Sequence, residues 1–176
     1  MKVNDTIPAC ICEGGAEKAI IEILLENDRL VFNKSDLLDE KIIRNRSGKD
    51  FEERYLNMSF SKKITVYRVL DSRKEKFKLR EIYKDKIESV INIITAPEIE
   101  MLVIIAEEKY DDYIKQKSKV KPSEYCIREL KMSNVKKIDF IKEYFSDVDK
   151  LIKSIKEYKR ISNLPDNENC LADILK

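Results

Sequence analysis

The chain has 176 residues, of which 39% are charged and 43% hydrophobic, a balance that excludes a disordered segment and a membrane protein. Because 35 basic and 33 acidic side chains leave a formal net charge of +2, attraction to a polyanion must come from local patches. The absence of histidine excludes Ser-His-Asp and Cys-His catalysis and zinc sites with histidine ligands.

The first predicted unit is a strand, a glycine turn and a helix. Thr6 to Cys12 is short and apolar and ends at Glu13-Gly14-Gly15, a pattern typical of a buried strand followed by a tight turn. Apolar residues at helical spacing predict a helix from Ala16 to about Arg29. Leu30 to Phe32 is predicted to form a further short strand.

The next region is polar up to a second strong strand signal. Between Asn33 and Lys63 short helices are favoured, with Ser35 as the cap of one that covers Asp36 to Ile43 and a loop at Asn45 to Gly48. Ile64 to Leu70 is rich in β-branched and aromatic residues, which predicts a central strand.

Two helices and a strand are predicted next. Lys74 to Ile87 carries scattered apolar residues among many charges and is predicted to be helical, and Val90 to Ile94 is predicted to be a third buried strand. Thr95-Ala96-Pro97-Glu98 has the pattern of a helix start, with threonine as cap, proline in the first turn and glutamate completing a capping box. A helix from Pro97 to about Lys115 is therefore expected.

The last third of the chain is predicted to be helical. A short helix is expected from Pro122 to about Lys131, and Lys136 to Ile161 is amphipathic with apolar residues three and four apart. This apolar seam is expected to pack on the protein's own core, and a partner helix in a homo-oligomer is the alternative. The alternation of strands and helices predicts an α/β fold with a small, mainly parallel sheet in residues 1–116 and a helical extension packed on it in residues 117–176.

The cysteine pattern and the lengths of the apolar runs indicate the cellular compartment of the protein. Cys10, Cys12, Cys126 and Cys170 form neither a CxxC pair nor a four-ligand zinc pattern, so we expect small packed residues in a reducing compartment. No apolar run approaches the length of about 18 residues that a transmembrane helix needs, and the first residues lack a signal-peptide core. A cytoplasmic protein without membrane contact is expected.

Two predicted strands end directly in a carboxylate. Glu13 follows the first strand and Asp71 follows the strand from Ile64 to Leu70. Parallel strands joined by right-handed crossovers place their carboxyl ends at one edge of the sheet, where ligands bind in α/β folds. Two such carboxylates favour a hard divalent cation such as Mg²⁺.

Three segments carry a resemblance to a known family. Cys12-Glu13-Gly14-Gly15-Ala16-Glu17 resembles the opening motif of Toprim domains, specifically of the RloB-like (AbiL-type) abortive-infection proteins. Val69 to Phe77, with Asp71 at its strand end, resembles that family's strand ending in Asp-x-Asp. Thr95 to Glu100, followed by apolar Met101 to Ile105, is similar to its Ser-Asn-Pro-x-Phe-Glu segment, and the three segments occur in family order.

The resemblance implies a Toprim fold and Mg²⁺- or Mn²⁺-dependent phosphodiester cleavage in phage defence, sometimes beside an ATPase partner. It implies that Glu13 is an acid–base or metal residue, Asp71 a metal ligand and Glu100 a further carboxylate. The family's second aspartate is replaced by Arg73, so Glu75 or Glu100 takes over as ligand or the site is degenerate. A degenerate module that binds an ATPase or a nucleic acid is therefore the alternative, and a counter-defence protein that assembles through its helical seam is a third hypothesis.

Phosphate contacts are expected beside the acidic turns. Lys18 and Arg73 flank these turns, and Gly14 and Gly15 would let a phosphate approach the N–H groups at a helix start. Glu17 is interpreted as favouring that helix start by its charge, and Glu98 as the capping-box residue. The basic stretches, residues 73–86 and 115–121, are either contacts for nucleic-acid phosphates or solvated faces.

Overall fold

The computed structural model describes residues 5–44, 47–165 and 167–176. The strands are β1 (Ile7–Cys12), β2 (Ile64–Leu70) and β3 (Ile87–Ile94). The α-helices are α1 (Gly15–Glu26), α2 (Gly48–Phe51), α3 (Met101–Ala106), α4 (Tyr110–Ile114), α5 (Pro122–Arg128), α6 (Ile138–Tyr144) and α7 (Val148–Ile161). Short 3₁₀ turns cover Lys34–Asp36, Leu38–Glu40, Glu81–Lys86 and Leu171–Ile174, and Glu52–Leu56 extends α2 with π-helical bonding.

The sheet is parallel throughout and has the order β1-β2-β3, with Ile7 opposite Ile64 and Val66 opposite Val90. Every residue of β2 is buried, which confirms the predicted central strand. In β3 the first six residues alternate between half-buried and exposed, as in an edge strand with one solvated face. The prediction of an α/β fold with a small parallel sheet flanked by helices is confirmed.

One strand prediction and one helix prediction are wrong. Leu30 to Phe32 forms no strand, because only Leu30 makes an isolated bridge, to Leu175. Residues 74–80 are irregular instead of helical, and a 3₁₀ turn follows only at Glu81–Lys86. The cause is the tertiary packing of this segment, which is described below.

The predicted short helices after Asn33 are present in altered form. Asp36 to Ile43 contains 3₁₀ turns instead of a helix, since Asp39 adopts a left-handed φ of 62° that interrupts helical bonding. Of the predicted loop at residues 45–48, Asn45 and Arg46 lie outside the described residues, and Gly48 begins α2 behind an N-cap from Ser47.

The helix expected from Pro97 to Lys115 is divided and begins later. Thr95 makes no cap: its hydroxyl is buried without a hydrogen-bond partner among the described residues. The Ala96–Pro97 peptide bond is cis, and helical structure begins only at Met101. A left-handed Glu108, with φ of 56°, then separates α3 from α4.

The amphipathic segment from Lys136 to Ile161 is two helices, and its apolar seam faces the protein's own core. The break lies at Asp147, whose carboxylate accepts the N–H of Asp149 as the N-cap of α7 at 2.9 Å. Helix α6 packs on α1 and α7 packs on α3, and Phe145 and Ile155 are fully buried. The expected packing of the seam on the core is confirmed.

One core cluster joins residues on both sides of the predicted boundary at residues 116 and 117. It combines Cys10 of β1 and Leu24 of α1 with Cys126 of α5 and Leu151 of α7. All four cysteines are free and buried, as predicted. None of the helices in the described ranges is long and apolar enough to cross a bilayer.

Candidate functional site

A cleft of about 210 Å³ opens at the carboxyl edge of the sheet. We call it the acidic cleft, because most of the charged side chains that line it are carboxylates. It is lined by Glu13, Gly14, Gly15, Ala16, Glu17, Leu70, Asp71, Glu98, Glu100 and Lys136.

The structure brings together the three carboxylates that the sequence singled out. Glu13 and Asp71 directly follow β1 and β2, which are paired in parallel, so both reach the same edge of the sheet. Glu100, immediately before α3, completes the set. They differ in exposure: the Glu100 residue is 4% exposed and the Glu13 side chain 15%, whereas Asp71 is exposed.

Two further charged residues of the cleft have roles that sequence reasoning missed. Glu98 accepts hydrogen bonds from the backbone N–H of Ser123 at 2.8 Å and from Lys136 Nζ at 3.1 Å. It therefore ties α5 and the loop before α6 to the cleft instead of capping a helix. The sequence around Lys136 did not indicate this role, because its partner Glu98 lies 38 residues away in the chain.

Glu17 lies in the first turn of α1, in agreement with its predicted role at the helix start. Its carboxylate folds back over the start of α1, where a Cβ built on Gly14 would lie 2.0 Å from Glu17 Oε2. This is the space through which a phosphate was expected to approach Gly14 and Gly15. In this arrangement the helix start is covered by the protein's own carboxylate.

Burial and mutual repulsion control the protonation of these acids. Burial, with smaller contributions from Glu98 and Glu17, raises the pKa of Glu100 to about 7, against a partial opposing effect of Lys136. Burial, and then the charge of Asp71, raises the pKa of Glu17. Burial opposes the ionisation of Glu98 too, but the bonds from Ser123 and Lys136 prevail and lower its pKa.

A buried arginine connects the cleft to the segment that follows β2. Arg68, in the middle of β2, has a side chain only 3% exposed. Its Nη2 lies 3.8 Å from Glu13 Oε1 and 3.4 Å from Glu75 Oε2, and its guanidinium stacks on the Phe77 ring at 4.8 Å. Glu75, predicted as a metal ligand, thus pairs with Arg68 and does not line the cleft.

The two predicted phosphate contacts also lie outside the cleft lining. Lys18 pairs with Glu22, one helical turn along α1, at 3.4 Å and lines a separate hollow. Arg73 donates from Nε to both carboxylate oxygens of Glu168, at 2.7 and 2.9 Å. The cation that does line the cleft is Lys136.

The donors of the cleft suit a hard divalent cation in kind, since carboxylate oxygens are the ligands that Mg²⁺ and Mn²⁺ take. In the side-chain arrangement described for residues 5–44, 47–165 and 167–176, no three Asp, Glu or Cys residues are grouped as ligands of one metal ion. Mg²⁺ commonly uses only one or two protein carboxylates and completes its shell with water and phosphate oxygens. Glu13 and Asp71 match that requirement.

Comparison of the chain with protein-family models, curated proteins and solved structures found no match.

Proposed function

We propose that the protein is a Toprim-like nuclease that uses Mg²⁺ or Mn²⁺ to cleave phosphodiester bonds, in phage defence or in the biology of a mobile element. The observation that carries the proposal is the presence of Glu13 and Asp71 in one cleft. They are 58 positions apart in the chain and follow two neighbouring parallel strands. The motifs that resemble the RloB-like family contribute Glu13, Asp71 and Glu100 to this cleft.

Each charged residue of the cleft has its own role in the proposed chemistry. Asp71 and Glu13 would hold the cation, and Arg68 Nη2 lies 3.8 Å from Glu13 Oε1. A bound Mg²⁺ would polarise a phosphoryl oxygen and lower the pKa of a water ligand. Glu100, with a pKa of about 7, can take up and release a proton near neutral pH, and Lys136 supplies positive charge toward a phosphate.

The test compares cleavage by matched variants. Glu13→Gln and Asp71→Asn remove one negative charge each, and Asp111→Asn does the same at an exposed position on α4 outside the cleft. We expect DNA or RNA cleavage in Mn²⁺ to fall by roughly 100-fold or more in the two cleft variants and to be retained in Asp111→Asn. Equal cleavage by the wild type and the cleft variants would refute the site assignment.

One observation favours a second candidate function, a Toprim-like module that has lost its metal site and binds a partner ATPase or a nucleic acid. Arg73 occupies the position of the family's second aspartate, and its guanidinium is bound to Glu168. Calorimetric titration with Mn²⁺ separates the two candidates. Binding that Asp71→Asn abolishes supports the nuclease, whereas the absence of binding supports the degenerate module.

A further inference from the structure

The segment between β2 and the 3₁₀ turn at Glu81–Lys86 has an alternating pattern that the predicted helix would not give. Phe77 and Leu79 are half-buried against the core, whereas Lys74, Lys76 and Lys78 are exposed. Glu75 is also exposed, and its carboxylate reaches back to Arg68. In an extended chain, side chains two residues apart lie on one side at a spacing of about 6.6 Å. On a helix Lys74 and Lys78 would share one face, and Lys76 would lie on the opposite side.

The segment packs against a second cluster of buried apolar residues, which includes Phe51 of α2 and Val66 of β2. The Phe77 ring packs edge-on against Phe51 at 5.8 Å and lies under Arg68. Glu52, itself 1% exposed, accepts the backbone N–H of Arg80 and, at 2.7 Å, its Nε. A Cβ built on Gly48 would lie 2.1 Å from the carbonyl oxygen of Lys78, so α2 touches the segment's backbone directly.

The other charges in the segment are already compensated. Arg73 binds Glu168, Glu75 binds Arg68 and Arg80 binds Glu52. Lys74, Lys76 and Lys78 make no ion pair with any other residue of the described ranges. Because Glu75 is bound to Arg68, these three lysines remain as positive charges without an ion-pair partner in the described ranges.

These lysines begin next to the acidic cleft. Asp71 lines the cleft and stands three residues before Lys74, a reach of at most about 11 Å. The buried Arg68 also connects the acidic cleft with this segment, since it contacts Glu13 in the cleft and Glu75 in the segment.

We propose that Lys74, Lys76 and Lys78 form a lysine track that binds the phosphate backbone of a single nucleic-acid strand and leads it to the acidic cleft. The proposal deepens the proposed function, on which it rests for the chemistry at the end of the track. A row of flexible ammonium groups on an extended backbone binds phosphates as point charges and carries no base specificity. Binding is therefore expected to depend strongly on salt and weakly on sequence.

The experiment measures the fluorescence anisotropy of labelled oligothymidylate and oligouridylate over a salt series in EDTA, where no cleavage occurs. The track variant carries Lys74→Gln, Lys76→Gln and Lys78→Gln. Its control carries Lys117→Gln, Lys119→Gln and Lys121→Gln, three exposed lysines with the same spacing in the other basic stretch. Both variants have the same formal net charge, so a difference between them reports position.

We expect the slope of log affinity against log salt to fall by about 2 in the track variant, because three phosphate contacts on a single strand contribute about 0.7 each. The control should keep the wild-type slope. Equal slopes for the wild type and the track variant, equal losses in both variants, or no binding of either oligonucleotide by the wild type would each overturn the proposal.

The outcome is separable from that of the nuclease test. Asp71→Asn should keep track-dependent binding in EDTA even where it abolishes cleavage. Track-dependent binding without cleavage by the wild type in Mn²⁺ would remove the nuclease and leave the track. Cleavage by the wild type, together with the same salt slope in the wild type and the track variant, would support the nuclease and overturn the lysine track.

Discussion

At the scale of single residues, Glu100 is a side chain whose charge near neutral pH depends on the fold. Its pKa is about 7 in the folded protein, chiefly because of burial, against an ordinary value of 4.5. Between these pH values the folded chain binds a proton that the unfolded chain has released, so stability falls as the pH rises from about 4.5 to 7. Above about pH 7 the carboxyl group of Glu100 is ionised in both states, and the loss of stability does not increase further.

Glu100→Gln should remove this pH-dependent loss, since the amide resembles the protonated acid and does not ionise. In EDTA we expect the melting temperature at pH 8 to rise by about 5 to 10 °C, and the change at pH 4 to be small. Thermal unfolding followed by circular dichroism at the two pH values measures it. An identical change in melting temperature at pH 4 and pH 8 would contradict a pKa of about 7 for Glu100 in the folded protein.

Glu98→Gln is the matched comparison, with the opposite sign. Its hydrogen bonds from Ser123 and Lys136 outweigh burial and lower the folded pKa of Glu98, so the ionised form contributes stability at neutral pH that is lost on acidification. The variant should melt below the wild type at pH 8, and the difference should shrink as the pH falls. Two carboxylates of one cleft thus respond in opposite directions because one has bonded donors and the other is mainly desolvated.

At the scale of elements, the contact between α2 and the lysine-bearing segment depends on the glycine at position 48. A methyl group there meets the backbone carbonyl of Lys78, which cannot swing aside as a side chain can. We expect Gly48→Ala to lower the free energy of unfolding by about 1 to 3 kcal/mol, measured by urea denaturation.

Gly15→Ala is the control for this contact. The nearest atom to a Cβ at Gly15 is the Ile138 Cγ1 at 3.3 Å, on a side chain that can shift by a few tenths of an ångström. The Gly15→Ala variant should therefore lose clearly less stability than Gly48→Ala. If the two substitutions were equally costly, the close approach of α2 to the segment would not be what limits position 48.

The elements also show what the sequence could and could not predict. The edge that joins Glu13 and Asp71 was predictable, because each follows a strand marked by its own local pattern. The non-helical form of residues 74–80 was not, since it depends on Glu52 and Gly48, which lie more than 20 residues earlier in the chain. Lys136 was missed for the same reason: its role depends on a partner remote in sequence, whereas periodicity reports only neighbours.

At the scale of the whole molecule, the helical last third is part of the core that supports the sheet. Leu151 and Ile155 on α7 are fully buried, and α7 packs on α3. Main-chain bonds join residues near the end of the chain to β3 and to the segment after α1. The N–H of Ile94 donates to Asn169 O at 2.8 Å and that of Val31 to Ile174 O at 3.0 Å. Residues 1–116 alone would expose this apolar face and lose these bonds.

We therefore expect a chain that ends at residue 116 to lack a cooperative thermal transition and to give poorly dispersed amide signals in NMR spectra. The matched control is the intact protein cut by a protease in the exposed segment at Lys117 to Lys119, which keeps both parts present. The cut protein should retain a cooperative transition, because the packing of α7 on α3 does not need the connecting peptide. A sharp transition in the truncated chain would show that the sheet and its first helices form an independent domain, and that the acidic cleft needs Lys136 for charge alone.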